Sequence, residues 1–188
     1  RMIAGLEEIS GGEIRIADLA NPVLTRAQAE AVAYAETQPV AFRGETILAA
    51  AMERAQLTDF GQDDFRARLA LQCQSIDEDT GLNALGRLGA FSNLVRYATN
   101  RLRFEDLLLR HPEILEVKLE RPLIVAGMPR TGTTHLLNLI GADTRLRSLP
   151  YWEAMEPVPV RGEGPGRDGR DPRHARCQAS YQQMVANM

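Results

Sequence analysis

Residues 122–141 read PLIVAGMPRTGTTHLLNLIG, and this stretch determines the fold that we expect. A short apolar run, 123–126, precedes a turn rich in glycine and proline, and a second apolar segment then ends at Gly141. This order predicts a buried strand, a tight loop and a helix. Such a loop directs backbone N–H groups and the positive end of a helix dipole to one point. The sequence therefore predicts an anion-binding loop.

The loop differs from that of nucleoside triphosphatases in the position of its cation. Gly127 and Gly132 have the P-loop spacing, with four residues between them. A triphosphatase then has Lys followed by Ser or Thr, whereas here Thr133 takes the lysine position and Thr134 the hydroxyl position. The cation, Arg130, lies inside the loop. Because the lysine that holds the β- and γ-phosphates is missing, we expect another anion: a phosphate whose far end carries a different group.

Residues 128–134, Met-Pro-Arg-Thr-Gly-Thr-Thr, resemble the 5′-phosphosulfate loop of sulfotransferases, in the branch with Pro-Arg-Ser/Thr-Gly-Thr-Thr. Residues 151–157, YWEAMEP, resemble the acceptor-side segment of bacterial members. The resemblance is specific over 121–157 and general before it. It implies transfer of a sulfuryl group from 3′-phosphoadenosine 5′-phosphosulfate (PAPS) to a hydroxyl or amine of a small-molecule acceptor, with no metal.

The resemblance also implies roles for individual residues. Arg130, a permanent cation, would neutralise the charge that develops on the bridging oxygen. Glu153 matches the glutamate base of one branch, with Glu156 as a second candidate base and His135 as a weaker one, and a purely structural role for Glu153 stays open. The implied donor-binding residues are Pro129, Arg130, Thr131, Gly132, Thr133 and Thr134. Residues that grip the donor's 3′-phosphate are expected beyond residue 188.

Composition narrows the classes of function. Among 188 residues, 44% are hydrophobic and 25% charged, and the net charge of −3 does not indicate general attraction to nucleic acid. Cys73 and Cys177 have no metal-ligand spacing, which favours a reduced, cytoplasmic setting. No run approaches the length of a membrane span. A homo-oligomer stays open.

The chain before the loop is predicted to be mainly helical. Thr25 to Gln28 form a capping-box pattern, and Asn83 can cap a long helix that ends at His111, before a proline. We therefore expect a helical N-terminal region, 1–115, followed at 116–188 by the start of a P-loop core. The predicted fold class is α/β, a P-loop nucleotide-binding fold with a parallel sheet. Only one convincing strand is visible, so the chain is expected to be incomplete or completed by a partner.

Two other functions stay open at this point. A P-loop kinase or ATPase with a displaced cation is one, although Thr133 argues against it. A non-catalytic helical interaction module that retains an anion loop is the other. The arginine- and glycine-rich segment 160–176 is predicted to be a mobile loop, either a linker or a lid over an anionic donor.

Overall fold

The structure is a computed structural model that describes residues 6–10, 13–16, 23–78, 81–128, 130–166 and 169–186. Two strands, β1 (Leu6–Ser10) and β2 (Glu13–Ile16), form an antiparallel hairpin in which Ser10 pairs with Glu13. Helices make up most of the rest. They are α1 (Arg26–Glu36), α2 (Gly44–Ala55), α3 (Arg66–Glu78), α4 (Ala84–Arg110), α5 (Thr133–Gly141), α6 (Tyr151–Met155) and α7 (Pro172–Ala186). Short 3-10 turns cover Asp63–Phe65 and Pro112–Glu116.

The hydrophobic core lies between α2 and α4. Ile47 and Ala51 on α2 and Leu102 on α4 are completely buried. Phe42, before α2, meets Phe91 of α4 edge-on, with ring centroids 6.2 Å apart. The core is thus built from helix faces, because apolar residues recur at helical spacing on both partners. Its other buried members are Leu48, Phe60, Cys73, Leu94, Val95 and Ala98.

Local sequence signals set three helix ends as predicted. The Thr25 hydroxyl accepts a hydrogen bond from the Gln28 amide, and the Gln28 side chain accepts one from the Thr25 amide, which completes the capping box of α1. The Asn83 side chain accepts from the Gly86 amide at 2.8 Å and caps α4. That helix ends at Arg110, ahead of the proline, as expected.

The predicted α/β class with a parallel sheet is wrong for this structure. Across the described ranges the strands are the two of the antiparallel hairpin, and residues 123–126 are not assigned to a strand. A strand needs backbone partners on a neighbouring strand, and within the described chain none pairs with this run. Ile124 is 84% exposed and Leu123 69% exposed. An apolar run such as 123–126 forms a buried strand only where another segment of the chain pairs with it and covers it.

The second half of the chain is attached to the helical core by polar contacts. The Asn100 side-chain amide and the Arg96 guanidinium, both on α4, donate to the carbonyl of Met155 at 3.1 and 3.4 Å. Val158, just after α6, is 2% exposed. Arg173, on α7, donates to the carbonyls of Glu156 and Pro157 at 2.9 and 3.2 Å. Together these contacts hold α6 and α7 against α4.

Candidate functional site

The anion loop leads directly into α5. The helix begins at Thr133, as the sequence predicts, and Gly132 precedes it in a left-handed conformation with φ 91°. No side chain among the described residues caps this end, and the Leu136 amide is the first to donate within the helix, to the Gly132 carbonyl at 3.0 Å. The three amides before it therefore have no acceptor inside the helix. Uncapped amides at the positive end of a helix dipole suit an anion.

Gly127 allows the loop to fold tightly. A Cβ atom at this position would lie 2.8 Å from Thr133 Cγ2 and 3.0 Å from Thr131 Oγ1, so a larger residue would push the two threonines apart. Thr131 itself closes a turn, because its hydroxyl and its amide both donate to the Met128 carbonyl, at 2.7 and 3.3 Å. Thr131 thus supports the loop from within. Within the described residues, the donors of Thr133, Thr134 and the amide of His135 have no acceptor.

Arg130 has an unusual backbone and a charge without a partner. Its φ of 70° lies in the left-handed region, which costs an L-residue other than glycine roughly 1–2 kcal/mol. The side chain is exposed and forms no hydrogen bond or ion pair with any part of the chain that the structure describes. Strained residues cluster at ligand sites, where the surrounding structure maintains the strain. Pro129, the remaining predicted donor-binding residue, lies outside the described residues.

Glu153 lies on the short helix α6 and forms an ion pair. Its Oε2 accepts a hydrogen bond from Arg147 Nη2 at 2.6 Å. The Glu153 side chain is 20% exposed and that of Arg147 is 73% exposed. One carboxylate oxygen of the predicted base is therefore occupied. His135, in the first turn of α5, is exposed, and among the described residues no hydrogen bond or ion pair joins Arg130 to Glu153 or to His135.

Glu156, the second candidate base, is engaged more fully. Arg176 of α7 donates to both of its carboxylate oxygens, at 3.2 and 2.7 Å, and also pairs with Glu163. The hydrogen bonds that Arg176 donates to Glu163 lower the pKa of the Glu163 carboxyl group. This arrangement is a structural clamp between the 160–166 segment and α7. It favours Glu153 over Glu156 as a base.

Contacts of arginine side chains fix part of the segment 160–176, the predicted mobile loop. Helix α7 begins at Pro172, and Arg173 forms an ion pair with Asp171 at 2.7 Å while its guanidinium lies 4.8 Å from the centre of the Trp152 ring. Hydrogen bonds from Arg173 lower the pKa of Asp171 to about 2. The Arg173 side chain is only 11% exposed. These contacts fix the start of α7 beside α6 and the lone tryptophan.

Sequence reasoning missed Arg147 and the anchoring role of Arg173. Arg147 and Glu153 are separated by a polar connection and by Pro150, so no helical spacing links them. Arg173 lies in a segment whose glycines and charges suggested a linker. The available signal was the Asp-Pro at 171–172, which is typical of a helix start with an acidic residue before the first turn.

Comparison with known proteins relates this site to a family. The model of the sulfotransferase family matches residues 122–187, from the apolar run before the loop to the end of α7. Residues 122–187 are therefore similar to the sulfotransferase family. The match begins at Pro122, so the anion loop, the Arg147–Glu153 pair and the arginine clamp all lie within the matched segment.

Two solved sulfotransferase structures resemble the chain beyond that segment. Sulfotransferase STF1 of Mycobacterium tuberculosis H37Rv is 30% identical over 77% of this chain, with a TM-score of 0.65. Sulfotransferase STF9 of Mycobacterium avium is 27% identical over 79% of this chain, also with a TM-score of 0.65. The similar region covers 40% and 37% of those two chains, so this chain spans less than half of their length. Among curated proteins, none matches the sequence.

Two general properties bear on the site. In the ranges that the structure describes, no group of three or more His, Cys, Asp or Glu residues is arranged to hold a metal ion. Over the same ranges, no helix combines the length and the apolar character needed to cross a membrane.

Proposed function

We propose that the protein is a sulfotransferase, which transfers a sulfuryl group from PAPS to a hydroxyl or amine of a small-molecule acceptor. The observation that carries the proposal is the uncapped start of α5 after the Gly127–Gly132 loop, in the segment that matches the sulfotransferase family. A 5′-phosphosulfate is a compact anion, and the amides of Thr133, Thr134 and His135 suit it.

Each residue of the loop has a part in this scheme. Gly127 keeps the turn narrow, and Thr131 braces it through its bonds to the Met128 carbonyl. Thr134 can add a hydroxyl donor to the backbone donors. Arg130 offsets the negative charge on the bridging oxygen when the bond between that oxygen and sulfur breaks. Arginine remains charged, so its role is electrostatic rather than that of a proton donor.

The acceptor must lose a proton when its oxygen or nitrogen bonds to sulfur. Glu153 is our first candidate to accept it, because its carboxylate is mostly shielded from solvent and its one ion-pair partner, among the described residues, is the exposed Arg147. For this role the ion pair has to open or rearrange when the acceptor binds. His135 is the second candidate, since it lies in the same helical turn as the donor amides. We further propose a cytoplasmic protein.

Binding of the desulfated donor tests the proposal. We expect calorimetric titration with 3′-phosphoadenosine 5′-phosphate to show one site per chain, and we expect ATP with Mg²⁺ to compete poorly. Thr134→Val, which keeps the shape but removes the hydroxyl, should weaken binding about tenfold, since a hydrogen bond to a charged group contributes about 1.5–3 kcal/mol. Release of 3′-phosphoadenosine 5′-phosphate from PAPS in the presence of phenols, alcohols and amines would establish turnover.

The behaviour of ATP provides the outcome that would contradict the proposed sulfotransferase. Tight, Mg²⁺-dependent binding and hydrolysis of ATP, with no response to the desulfated donor, would reject the sulfotransferase and favour a kinase or ATPase. Absence of binding of either nucleotide by the full-length protein, which would supply the expected 3′-phosphate residues, would reject both.

A further inference from the structure

A cavity lies away from the anion loop, between α2, α4, α6 and α7. Its volume is about 550 Å³, which is within the range of small-molecule sites. No residue of the 127–135 loop is among those that line it. Tyr151 and Met155 of α6 face it, and because Glu153 falls midway between them it projects from the other side of that helix.

Four arginines border this cavity: Arg54, Arg96, Arg103 and Arg176. Two of them are already engaged. Arg176 pairs with Glu156 and Glu163, and Arg96 donates to the Met155 carbonyl and to Asn93. The other two guanidinium groups, of Arg54 and Arg103, form no hydrogen bond or ion pair with any described residue.

The two unpaired arginines are close enough to repel each other. Burial lowers the pKa of Arg103, and the carboxylate of Glu156, which also lines the cavity, raises it. The positive charges of Arg54 and Arg176 lower this pKa further, and the carboxylate of Glu163 opposes them. An oxyanion placed between these two like charges would add to the attraction that Glu156 already supplies to Arg103. Arginine favours carboxylate, sulfonate and phosphate oxygens, which its planar group can bind through two parallel hydrogen bonds.

Part of the remaining wall of the cavity is apolar, and the polar residues Thr99, Asn100, Glu156 and Ser180 line the rest. Met155, Met184 and Val160 line the apolar part together with the rings of Tyr151 and Tyr181. Methionine side chains adapt to ligands of varied shape, and tyrosine rings add flat contact area. A small inorganic anion would leave this wall exposed to water, whereas a ligand with an apolar body would cover it.

We propose that this cavity is a binding site for an amphipathic organic anion. The oxyanion group lies between Arg54 and Arg103, and the apolar body contacts Met184 and Tyr181. The site is separate from the loop that receives the sulfuryl donor, and binding there does not require the proposed sulfotransferase activity to be correct.

Calorimetric titration with naphthalene-2-sulfonate, without any nucleotide, tests the site. We expect one molecule to bind per chain. The uncharged naphthalene-2-sulfonamide has nearly the same shape and should bind at least roughly tenfold more weakly, since it lacks the charge that the arginines recognise. Arg54→Ala and Arg103→Ala should each weaken sulfonate binding about tenfold or more.

A matched variant controls for general loss of positive charge. Arg26 on α1 is 93% exposed and pairs with Glu30, away from the cavity, so Arg26→Ala should leave the dissociation constant within about twofold. If Arg103→Ala fails to fold, as judged by circular dichroism, Arg54→Ala alone decides, because Arg54 is exposed. Three results would each overturn the proposal: no sulfonate binding, equal affinity for the sulfonamide, or the same loss in Arg26→Ala as in Arg54→Ala.

Discussion

Arg130 combines a charge without a partner, within the described chain, with a backbone conformation that suits glycine. Replacement by glycine should therefore stabilise the fold and abolish the proposed chemistry. We expect Arg130→Gly to raise the free energy of unfolding by roughly 0.5–1 kcal/mol, because relief of about 1–2 kcal/mol of strain exceeds the added chain entropy of about 0.5–1 kcal/mol. Sulfuryl transfer should fall about 10²–10³-fold. Urea unfolding and turnover of PAPS measure the two effects.

Two further substitutions at position 130 separate charge from strain. Arg130→Ala keeps the left-handed backbone without the charge, so it should lose turnover and gain no stability. Arg130→Lys keeps the charge and should retain more turnover than Arg130→Ala. If all three variants turn over PAPS at the same rate as the parent chain, Arg130 has no part in the reaction.

The ion pair between Asp171 and Arg173 should make the start of α7 sensitive to acid. Since the folded pKa of Asp171 is about 2, below its unfolded value near 3.9, its stabilisation is complete above about pH 4. It is lost as the pH falls towards 2. We expect Asp171→Asn to be less stable than the parent chain at pH 7, with a difference that shrinks between pH 4 and pH 2. Denaturant unfolding over this range measures it.

The matched control is an ion pair on α1. Glu30 is 63% exposed and its partner Arg26 is 93% exposed, so Glu30→Gln should have almost no effect at any pH. A constant difference between Asp171→Asn and the parent chain from pH 7 to pH 2 would show that the carboxylate contributes nothing through its charge.

At the scale of elements, α4 carries the core along its middle turns and not at its C-terminal end. Leu102 is completely buried and Leu109, two turns later, is 71% exposed. We expect Leu102→Ala to lower the free energy of unfolding by about 2–5 kcal/mol, because it leaves a cavity between α2 and α4. Leu109→Ala on the same helix should change it by less than about 0.5 kcal/mol. Equal effects in urea unfolding would contradict the assignment of the buried stretch of α4.

The helices could be predicted from sequence because their signals are local. The capping residues Thr25 and Asn83 and the proline after His111 lie within a turn of the ends that they determine. The parallel sheet failed for the opposite reason. Apolar residues at 123–126 indicate a strand only when a distant segment supplies hydrogen bonds, and in the described structure none does.

The candidate site was likewise predictable only where its signal lies in contiguous residues. The turn, the helix start after Gly132 and the likeness to sulfotransferases follow from contiguous residues. The engagement of Glu153 by Arg147, the clamp formed by Arg176 and the arginine-lined cavity depend on residues that only the folded chain brings together. Spacing in the sequence carries no information about such contacts.

At the scale of the whole molecule, the backbone amides are protected from solvent to very different degrees. The middle of α4 is buried and joined to the second half of the chain through the Met155 carbonyl. Residues 118–127 are almost all exposed and have no regular secondary structure. Two parts of one chain should therefore open with very different free energies.

Hydrogen exchange should reveal this contrast and, with ligand, locate the donor site. We expect amides of 94–102 to exchange slowest and those of 118–127 to exchange within the shortest labelling times, because the latter lack backbone partners among the described residues. Addition of 3′-phosphoadenosine 5′-phosphate should slow exchange at 133–135, where the uncapped amides of α5 would donate to the phosphate, and leave 118–123 fast. Naphthalene-2-sulfonate is the control ligand, because it should protect the faces of α6 and α7 that border the arginine-lined cavity without affecting 133–135. Protection at 133–135 by both ligands would contradict the separation of the anion loop from that cavity, and protection by neither would contradict donor binding at the loop.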